Sequence, residues 1–262
     1  MPLTIIVVIS LIQGLTEFLP VSSSGHLALI PVFTPFNYQG KILDVAAHIG
    51  TLIAVTFYLR TEIVDILRAL ISFGRNDPAN ARLGALLALA TMPVVIAGYF
   101  VNYANWMWID MVQTLALANF GFAILLWLSD KVAMQKQGLE SVTWLPALLI
   151  GVAQICALIP GASRSGVTIS AARFLGYDRI TAARLSLLLS LPTIAGAGLL
   201  KSLDLVESGD IALGRDAAII IVLSAGVAWL AISWMMRWLS KASFSIFVYY
   251  RMALGTFLLL GL

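Results

Sequence analysis

Long apolar stretches with very little charge between them constrain this chain more than any other feature of its sequence. Hydrophobic residues make up 60% of its 262 positions and charged residues only 11%, whereas soluble domains carry about 25% charged residues. A surface so poor in charge has to be covered by lipid. The sequence therefore predicts a single all-α, polytopic membrane domain over residues 1–262, with no separate soluble domain.

Six stretches are long and apolar enough to cross a bilayer, since each crossing takes about 20 residues. They are Leu43–Leu59, Leu83–Tyr103, Val112–Ser129, Ala182–Leu200, Ala217–Met236 and Phe244–Leu262. Two more, Thr4–Val32 and Trp144–Leu175, are interrupted by proline, glycine and polar residues, so that each half is too short to span. Such segments are tolerated at membrane depth where protein buries them or where they line a wet cavity. We predict two re-entrant helix–loop–helix hairpins, with two kinked helices as the alternative.

Basic residues are distributed unevenly among the loops, which indicates the orientation of the spans. Lysine and arginine concentrate in the loops at 60–82, 130–141 and 237–243, whereas the loop at 201–216 is acidic on balance. With the basic loops inside, the number of membrane crossings is consistent if each hairpin returns to the side from which it entered and both termini lie outside. Residues from about 1 to 130 and from about 142 to 262 then form an inverted-topology repeat, each half a hairpin followed by three spans.

Composition also excludes several kinds of partner and site. The net charge of +3 comes without a basic cluster, so nucleic acid is not expected as a partner. The chain has one cysteine, Cys156, and two histidines, which excludes an internal disulfide and the ligand spacing of a zinc site. The oligomeric state stays open, a homodimer included.

The first hairpin motif carries an acid in an apolar stretch. Glu17 is costly at membrane depth and therefore marks a functional site, and Gln13 lies one helical turn before it on the same face. The hydroxyls of Ser22, Ser23 and Ser24 and the imidazole of His26 follow where the second half-helix begins. The structural interpretation of this cluster is that a serine caps the helix. The functional interpretation is that the helix N-terminus binds phosphate.

The second hairpin motif repeats this pattern with a permanent cation. Arg164 stands between Ser163 and Ser165, with Thr168 beyond them, and arginine matches phosphate oxygens in a bidentate fork. The structural interpretation is an ion pair between Arg164 and Glu17. Two half-helix N-termini and an arginine together predict a site for more than one phosphoryl group.

Other polar residues in the spans have weaker functional patterns. Asp44 and His48 are one helical turn apart, which favours a structural hydrogen-bonded pair over a second polar site. Arg251, near the middle of the last span, is expected either to extend its charged end to the interface or to pair internally.

The two motifs resemble a known family. The segment from Gln13 to Leu27, QGLTEFLPVSSSGHL, and the segment from Pro160 to Thr168, PGASRSGVT, resemble the two signatures of the bacterial undecaprenyl-diphosphate phosphatases, the BacA/UppP family. The segment 44–51 and the pair Tyr250-Arg251 are similar to it as well, so the resemblance covers nearly the whole chain. Many members have glutamate where this chain has Gln13, which argues against a metal site built from two glutamates.

The resemblance implies that the chain removes the terminal phosphate of undecaprenyl diphosphate and so yields the monophosphate lipid carrier for cell-wall synthesis. It also implies bacitracin resistance on overproduction, with bacitracin competing for the substrate, and a loosely bound divalent cation, Mg²⁺ or Ca²⁺. The active site would open to the outer face of the plasma membrane. The catalytic residues carried over are Glu17, Ser23, His26 and Arg164, with Ser22, Ser163, Ser165 and Thr168 around them; Gln13 and Ser24 are added as substrate-binding residues.

Several mechanisms remain open at this stage. The diphosphate is predicted to lie between the two half-helix N-termini with Arg164 on its oxygens. Ser23 is the nucleophile or positions it, His26 is the general acid or base, and Glu17 orients His26 or holds the divalent cation. Direct attack by water is equally compatible. The competing class of function is transport of the polyprenyl monophosphate, because inverted repeats with broken helices are typical of transporters.

Overall fold

The computed structural model describes residues 2–34, 41–104, 112–132, 138–208 and 211–261, and in this part the chain is all-helical. Its eleven α-helices, in chain order, are α1 Leu3–Thr16, α2 Ser23–Phe33, α3 Lys41–Tyr58, α4 Arg60–Ile71, α5 Pro78–Ala104, α6 Val112–Asp130, α7 Trp144–Gln154, α8 Arg164–Phe174, α9 Arg179–Ser208, α10 Ile211–Leu239 and α11 Ser245–Gly261. A 3₁₀ turn, Ile155–Leu158, extends α7 toward α8.

The two interrupted stretches are each broken into two short helices, as the sequence predicts. Helices α1 and α2 are separated by residues 17–22, and α7 and α8 by residues 155–163. With 14 and 11 residues in the first pair and 11 in each helix of the second, every half is shorter than the roughly 20 residues of a span. We call the first pair hairpin 1 and the second pair hairpin 2.

Three helices are long and apolar enough to cross a membrane among the residues that the structure describes. They are Pro78–Val101, Val112–Asp130 and Gly214–Leu239, and they correspond to three of the six predicted spans. The predicted spans at 43–59 and 244–262 fall on the shorter apolar helices Leu43–Tyr58 and Ser245–Leu260. The sixth falls within α9, a helix of 30 residues.

Helix α4 lies where the sequence predicts only a basic loop. The four arginines between positions 60 and 82 favoured a loop, but apolar residues recur every three or four positions and bury Ile66 and Ala69 against the protein. Glu62 near the start of α4 forms an ion pair with Arg184 of α9. The charges therefore occupy one face of an amphipathic helix.

Each hairpin packs its first helix against a span from the other half of the chain. Helix α1 packs on α10, and α7 packs on α5. A glycine permits each close approach: a Cβ on Gly14 would come within 2.7 Å of Val227, and one on Gly151 within 2.8 Å of the Ala90 Cα. The two halves are therefore interwoven, and each hairpin is supported by the opposite half.

Many large apolar side chains on the outside of the helices have no protein over them. Tyr99 of α5 is 72% exposed, Val222 of α10 70% and Leu260 of α11 84%. Soluble monomers rarely expose apolar surface continuously. Together with the three long apolar helices, this surface identifies a membrane protein whose outer face is covered by lipid.

Candidate active site

Glu17 is the centre of the polar cluster between the two hairpins. It follows α1 directly and is only 7% exposed. Its Oε2 accepts hydrogen bonds from Ser23 Oγ at 2.6 Å and from Gln13 Nε2 at 2.9 Å. Its Oε1 accepts from Arg164 Nη2 at 2.8 Å. A carboxylate surrounded by three donors is held in its charged form, as a base or an anion has to be.

Arg164, the first residue of α8, brings hairpin 2 onto hairpin 1. The ion pair with Glu17 that sequence reasoning offered as the structural interpretation does form. It uses only part of the guanidinium, since Nη1 of Arg164 is buried and has no hydrogen-bond partner among the described residues. One end of the fork is thus engaged with Glu17 while the other is available to a ligand, so the pair does not exclude phosphate binding.

Ser22 and Ser163 cap the second helix of each hairpin in the same way. Their φ angles are 73° and 69°, a conformation that residues with a Cβ seldom adopt. Each hydroxyl accepts a hydrogen bond from the amide three residues later, Gly25 or Gly166. Strained backbone of this kind concentrates at functional sites, and here it turns both helix N-termini toward the cluster around Glu17.

His26 is held by two groups other than Glu17. Its Nδ1 lies 2.6 Å from the Ser22 carbonyl oxygen, which can only accept, so Nδ1 carries a proton. In the neutral ring, Nε2 is then the acceptor, and Tyr250 Oη donates to it at 2.5 Å. The two rings are also stacked, with centroids 5.6 Å apart. Ser22 and Tyr250 therefore orient His26, which was one of the two roles predicted for Glu17.

His48 is a residue of this site that sequence reasoning placed elsewhere. Its Nδ1 donates to the Asp44 carbonyl oxygen at 2.7 Å, so the predicted local pair exists through the backbone. This bond aims Nε2 at Glu17, 3.6 Å from Oε2. The spacing of Asp44 and His48 predicted the local bond, whereas the approach of the His48 ring to Glu17 depends on the packing of α3 against α1.

Arg251 joins the loops of both hairpins from within the protein. It is fully buried, and its guanidinium donates to the carbonyl of Pro20 in the first loop and to those of Gly161 and Ala162 in the second, at 2.9–3.3 Å. Nε donates to Asn119 of α6 at 2.9 Å. The expectation of internal pairing is confirmed, and that of a side chain extending to the interface is wrong. We call this group the Arg251 junction.

The remaining predicted residues mostly hold the two hairpins together. Ser165 Oγ donates to the Leu19 carbonyl in the opposite loop at 2.9 Å. The buried Thr168 hydroxyl lies 2.8 Å from Ser186 Oγ of α9, which ties α8 to a span. Ser24 is exposed and lies 3.5 Å from the Ser22 hydroxyl. Ser23 is thus the serine of the first motif whose hydroxyl is directed at an ionised group.

A divalent cation would find few protein ligands here. In the described part of the chain, no group of three or more His, Cys, Asp or Glu side chains converges. The Oε1 of Gln13, beside Glu17, is a buried oxygen that has no hydrogen-bond partner within the described ranges. One carboxylate and one amide oxygen suit Mg²⁺, which is commonly held by one or two carboxylates together with substrate phosphates.

Comparison with known proteins agrees with the motifs and the fold. The family model described as bacitracin resistance protein BacA matches residues 6–257. This chain belongs to the BacA family. The match begins within α1 and extends past Arg251, so every residue of the cluster lies inside the matched residues.

Named BacA relatives align over nearly their whole length. An undecaprenyl-diphosphatase of Ruegeria pomeroyi is 42% identical over 97% of this chain and 96% of its own. Undecaprenyl-diphosphatase 1 of Rhodospirillum rubrum is 42% identical, covering 97% of this chain and 93% of its own. An undecaprenyl-diphosphatase of Maricaulis maris is also 42% identical, covering 99% of this chain and 98% of its own.

Proposed function

We propose that this chain is an undecaprenyl-diphosphatase that hydrolyses undecaprenyl diphosphate to undecaprenyl phosphate and inorganic phosphate. The observation that carries the proposal is the bond from Arg164 to Glu17, because it places two helix N-termini, a permanent cation and a base in one buried cluster. The curated BacA relatives that are 42% identical bear the name of this enzyme. A purely structural ion pair would explain neither why Nη1 of Arg164 has no partner in the described part of the chain nor why the hydroxyl of Ser23 donates to Glu17.

The two hairpins suit a diphosphate headgroup attached to a lipid. Helix N-termini attract phosphate through free amides and the helix dipole, and the caps of Ser22 and Ser163 form two such termini. Nη1 of Arg164 supplies a charged donor between them. The exposed apolar surface lies in the same bilayer as the isoprenoid chain, so the lipid tail can stay in the hydrocarbon while the headgroup enters the cluster.

Ser23 is the nucleophile that the geometry favours, with Glu17 as its base. The Ser23 hydroxyl already donates to Glu17 Oε2 at 2.6 Å. As Oγ bonds to the terminal phosphorus, its proton passes to Glu17, and the bond from that phosphorus to the bridging oxygen breaks. The electron pair leaves on undecaprenyl phosphate. Positioned cations and helix termini stabilise charge that develops on the phosphoryl oxygens, which is the main requirement of phosphoryl transfer.

The second half of the reaction requires water and a proton acceptor. A water molecule attacks the phosphorus bonded to Ser23, inorganic phosphate leaves, and Ser23 takes back a proton from Glu17. The Nε2 of His26 is the acceptor nitrogen of the neutral ring, so His26 is the residue that receives a proton from this water. Tyr250 and Ser22 keep the ring in the required tautomer.

We expect a divalent cation to assist, held by the Glu17 carboxylate and the Gln13 Oε1 together with oxygens of the substrate. When bound, it would neutralise negative charge on the diphosphate. The single carboxylate accounts for a loosely bound ion.

We further propose six membrane spans and two re-entrant hairpins in an inverted-topology repeat of residues from about 1 to 130 and from about 142 to 262. The matching caps of Ser22 and Ser163 and the matching contacts of Gly14 and Gly151 support it. The concentration of basic residues in three loops supports an orientation with both termini outside. In a bacterial plasma membrane the site would then open to the outer face, where bacitracin would compete for the diphosphate.

Phosphate release in detergent tests the function. The purified chain should release phosphate from a polyprenyl diphosphate in the presence of Mg²⁺ or Ca²⁺, and His26→Ala and Arg164→Ala should lose this activity while keeping the wild-type melting temperature of the helices. A well-folded wild type that releases no phosphate would contradict the proposal and would make transport of the lipid carrier the better explanation, because detergent leaves no second compartment.

A further inference from the structure

Gln154, at the end of α7, has a buried side-chain amide. Its side chain is 0% exposed, and neither Nε2 nor Oε1 has a partner within the described ranges of the chain. A buried polar group left unpaired costs about 1–3 kcal/mol, and natural proteins keep few of them. Leucine or methionine would avoid this cost, so the amide calls for a functional explanation.

Gln154 occupies in hairpin 2 the place that Glu17 occupies in hairpin 1. Each lies three residues after the glycine that contacts the opposite half, Gly14 or Gly151. Each also precedes a serine cap with positive φ. Six positions separate Glu17 from Ser23, and ten separate Gln154 from Arg164. The four additional residues form the 3₁₀ turn Ile155–Leu158, so the remaining path has the same length in both hairpins.

If hairpin 2 follows the pattern of hairpin 1, the amide faces the N-terminus of α8. In hairpin 1, Glu17 meets Ser23, the first residue of α2, at 2.6 Å. Arg164 is the first residue of α8, and its Nη1 is also a buried donor without a hydrogen-bond partner among the described residues. Hairpin 2 thus contributes two buried groups without partners in the described part of the chain, an amide and one end of a guanidinium.

We propose that Gln154 is a substrate-binding residue whose Nε2 donates to a phosphoryl oxygen of the diphosphate, beside Nη1 of Arg164. This rests on the proposed function and adds a second set of donors to that site. The residue type follows from charge. A carboxylate equivalent to Glu17 at this position would repel a phosphoryl group, whereas an amide of nearly the same shape offers it a donor.

The test separates binding from folding through two near-isosteric variants. Gln154→Met removes the donor and keeps the volume. Because the amide has no hydrogen-bond partner among the described residues, the melting temperature should stay the same or rise. Loss of a hydrogen bond to a charged group, worth about 1.5–3 kcal/mol, should lower kcat/KM for polyprenyl diphosphate by roughly 10- to 100-fold. Gln154→Glu should lower it further through repulsion.

A non-hydrolysable polyprenyl methylenebisphosphonate gives a readout that does not depend on turnover. Its affinity should fall in Gln154→Met by the same factor as kcat/KM. The matched control is Gln113→Met, since Gln113 is an exposed glutamine of α6, and both quantities should match wild type there.

Three results would overturn the inference. Wild-type kcat/KM and analogue affinity in Gln154→Met would show that the amide does not touch substrate. A melting temperature well below wild type would show that the amide has a structural partner. Equal activity of Gln154→Glu and wild type would exclude a neighbouring phosphoryl group. Failure of the wild type to release phosphate would contradict the proposed function instead, and the analogue affinities would still decide the role of Gln154.

Discussion

Arg164 and Glu17, which are 147 positions apart in the chain, meet through a hydrogen bond of 2.8 Å between the guanidinium and the carboxylate. The bond joins the N-terminus of α8 to the end of α1, so a residue of each hairpin completes the other. Neither motif alone contains both a cation and a base. The candidate active site therefore exists only when both hairpins are in place.

Replacement of Arg164 should be far more damaging than replacement of Asp44. Arg164→Ala removes both the partner of Glu17 and the free Nη1, and loss of one such charge-stabilising donor costs about 10²- to 10³-fold in kcat. Arg164→Lys should recover only part of the activity, since an ammonium cannot reach two acceptors as the fork does. Asp44→Asn leaves the backbone carbonyl that holds His48 and should have a mild effect. Phosphate release in detergent measures all three, and equal losses in Arg164→Ala and Asp44→Asn would exclude this site.

Tyr250 should contribute through its hydroxyl, and its neighbour in sequence provides the control. Tyr250→Phe keeps the stacked ring but removes the donor to His26 Nε2. A typical hydrogen bond contributes about 0.5–1.5 kcal/mol, so kcat should fall by roughly two- to tenfold. Tyr249→Phe alters an exposed side chain and should match wild type. In a His26→Ala background the effect of Tyr250→Phe should vanish; an undiminished effect there would show that Tyr250 acts independently of His26.

The Arg251 junction should determine stability as well as activity. Arg251→Met leaves the carbonyls of Pro20, Gly161 and Ala162 without their donor, and each buried unpaired group costs about 1–3 kcal/mol. We expect a clearly lower melting temperature in detergent together with loss of phosphate release. Arg68→Met, on the exposed side of α4, should change neither. A stable, active Arg251→Met protein would mean that the loops hold their positions without it.

Glycine at position 151 should be required by the contact between α7 and α5. In Gly151→Ala the new Cβ would lie within 2.8 Å of the Ala90 Cα, so the two helices must separate; overpacking of this kind costs about 1–3 kcal/mol. Gly121→Ala is the matched control, because a Cβ there meets nothing within 4 Å. Alanine favours a helix over glycine by about 1 kcal/mol. In thermal unfolding, the melting temperature of Gly121→Ala should therefore equal or exceed that of wild type, and that of Gly151→Ala should be lower. The reverse order would contradict the close contact between α7 and α5.

The features that sequence predicts best are those with local causes. Proline, glycine and clustered serines interrupt the two apolar stretches, and the structure breaks them into α1 and α2 and into α7 and α8. The serine caps follow from the same local chemistry. Glu17 and Arg164 could be selected because charge is expensive at membrane depth. Their ion pair was one of two alternatives, and only the structure shows that it leaves Nη1 of Arg164 without a partner among the described residues.

The features that sequence reasoning missed depend on distant contacts. Tyr250 reaches His26 across 224 positions and Asn119 reaches Arg251 across 132, and no local pattern contains such pairs. His48 was assigned to a local pair because its spacing to Asp44 is visible in the sequence, whereas its approach to Glu17 requires α3 to pack on α1. Helix α4 was missed because its charges were interpreted as a loop, although its apolar residues recur at helical spacing.

Arg251 also sets the order in which the protein can be completed. A ribosome makes both hairpin motifs before it reaches α11, and chains fold largely as they emerge. Until α11 enters the bundle, the loops at Pro20 and at Gly161 lack their common donor. Assembly of the candidate site is thus coupled to insertion of the last helix, and we expect a chain truncated before α11 to release no phosphate.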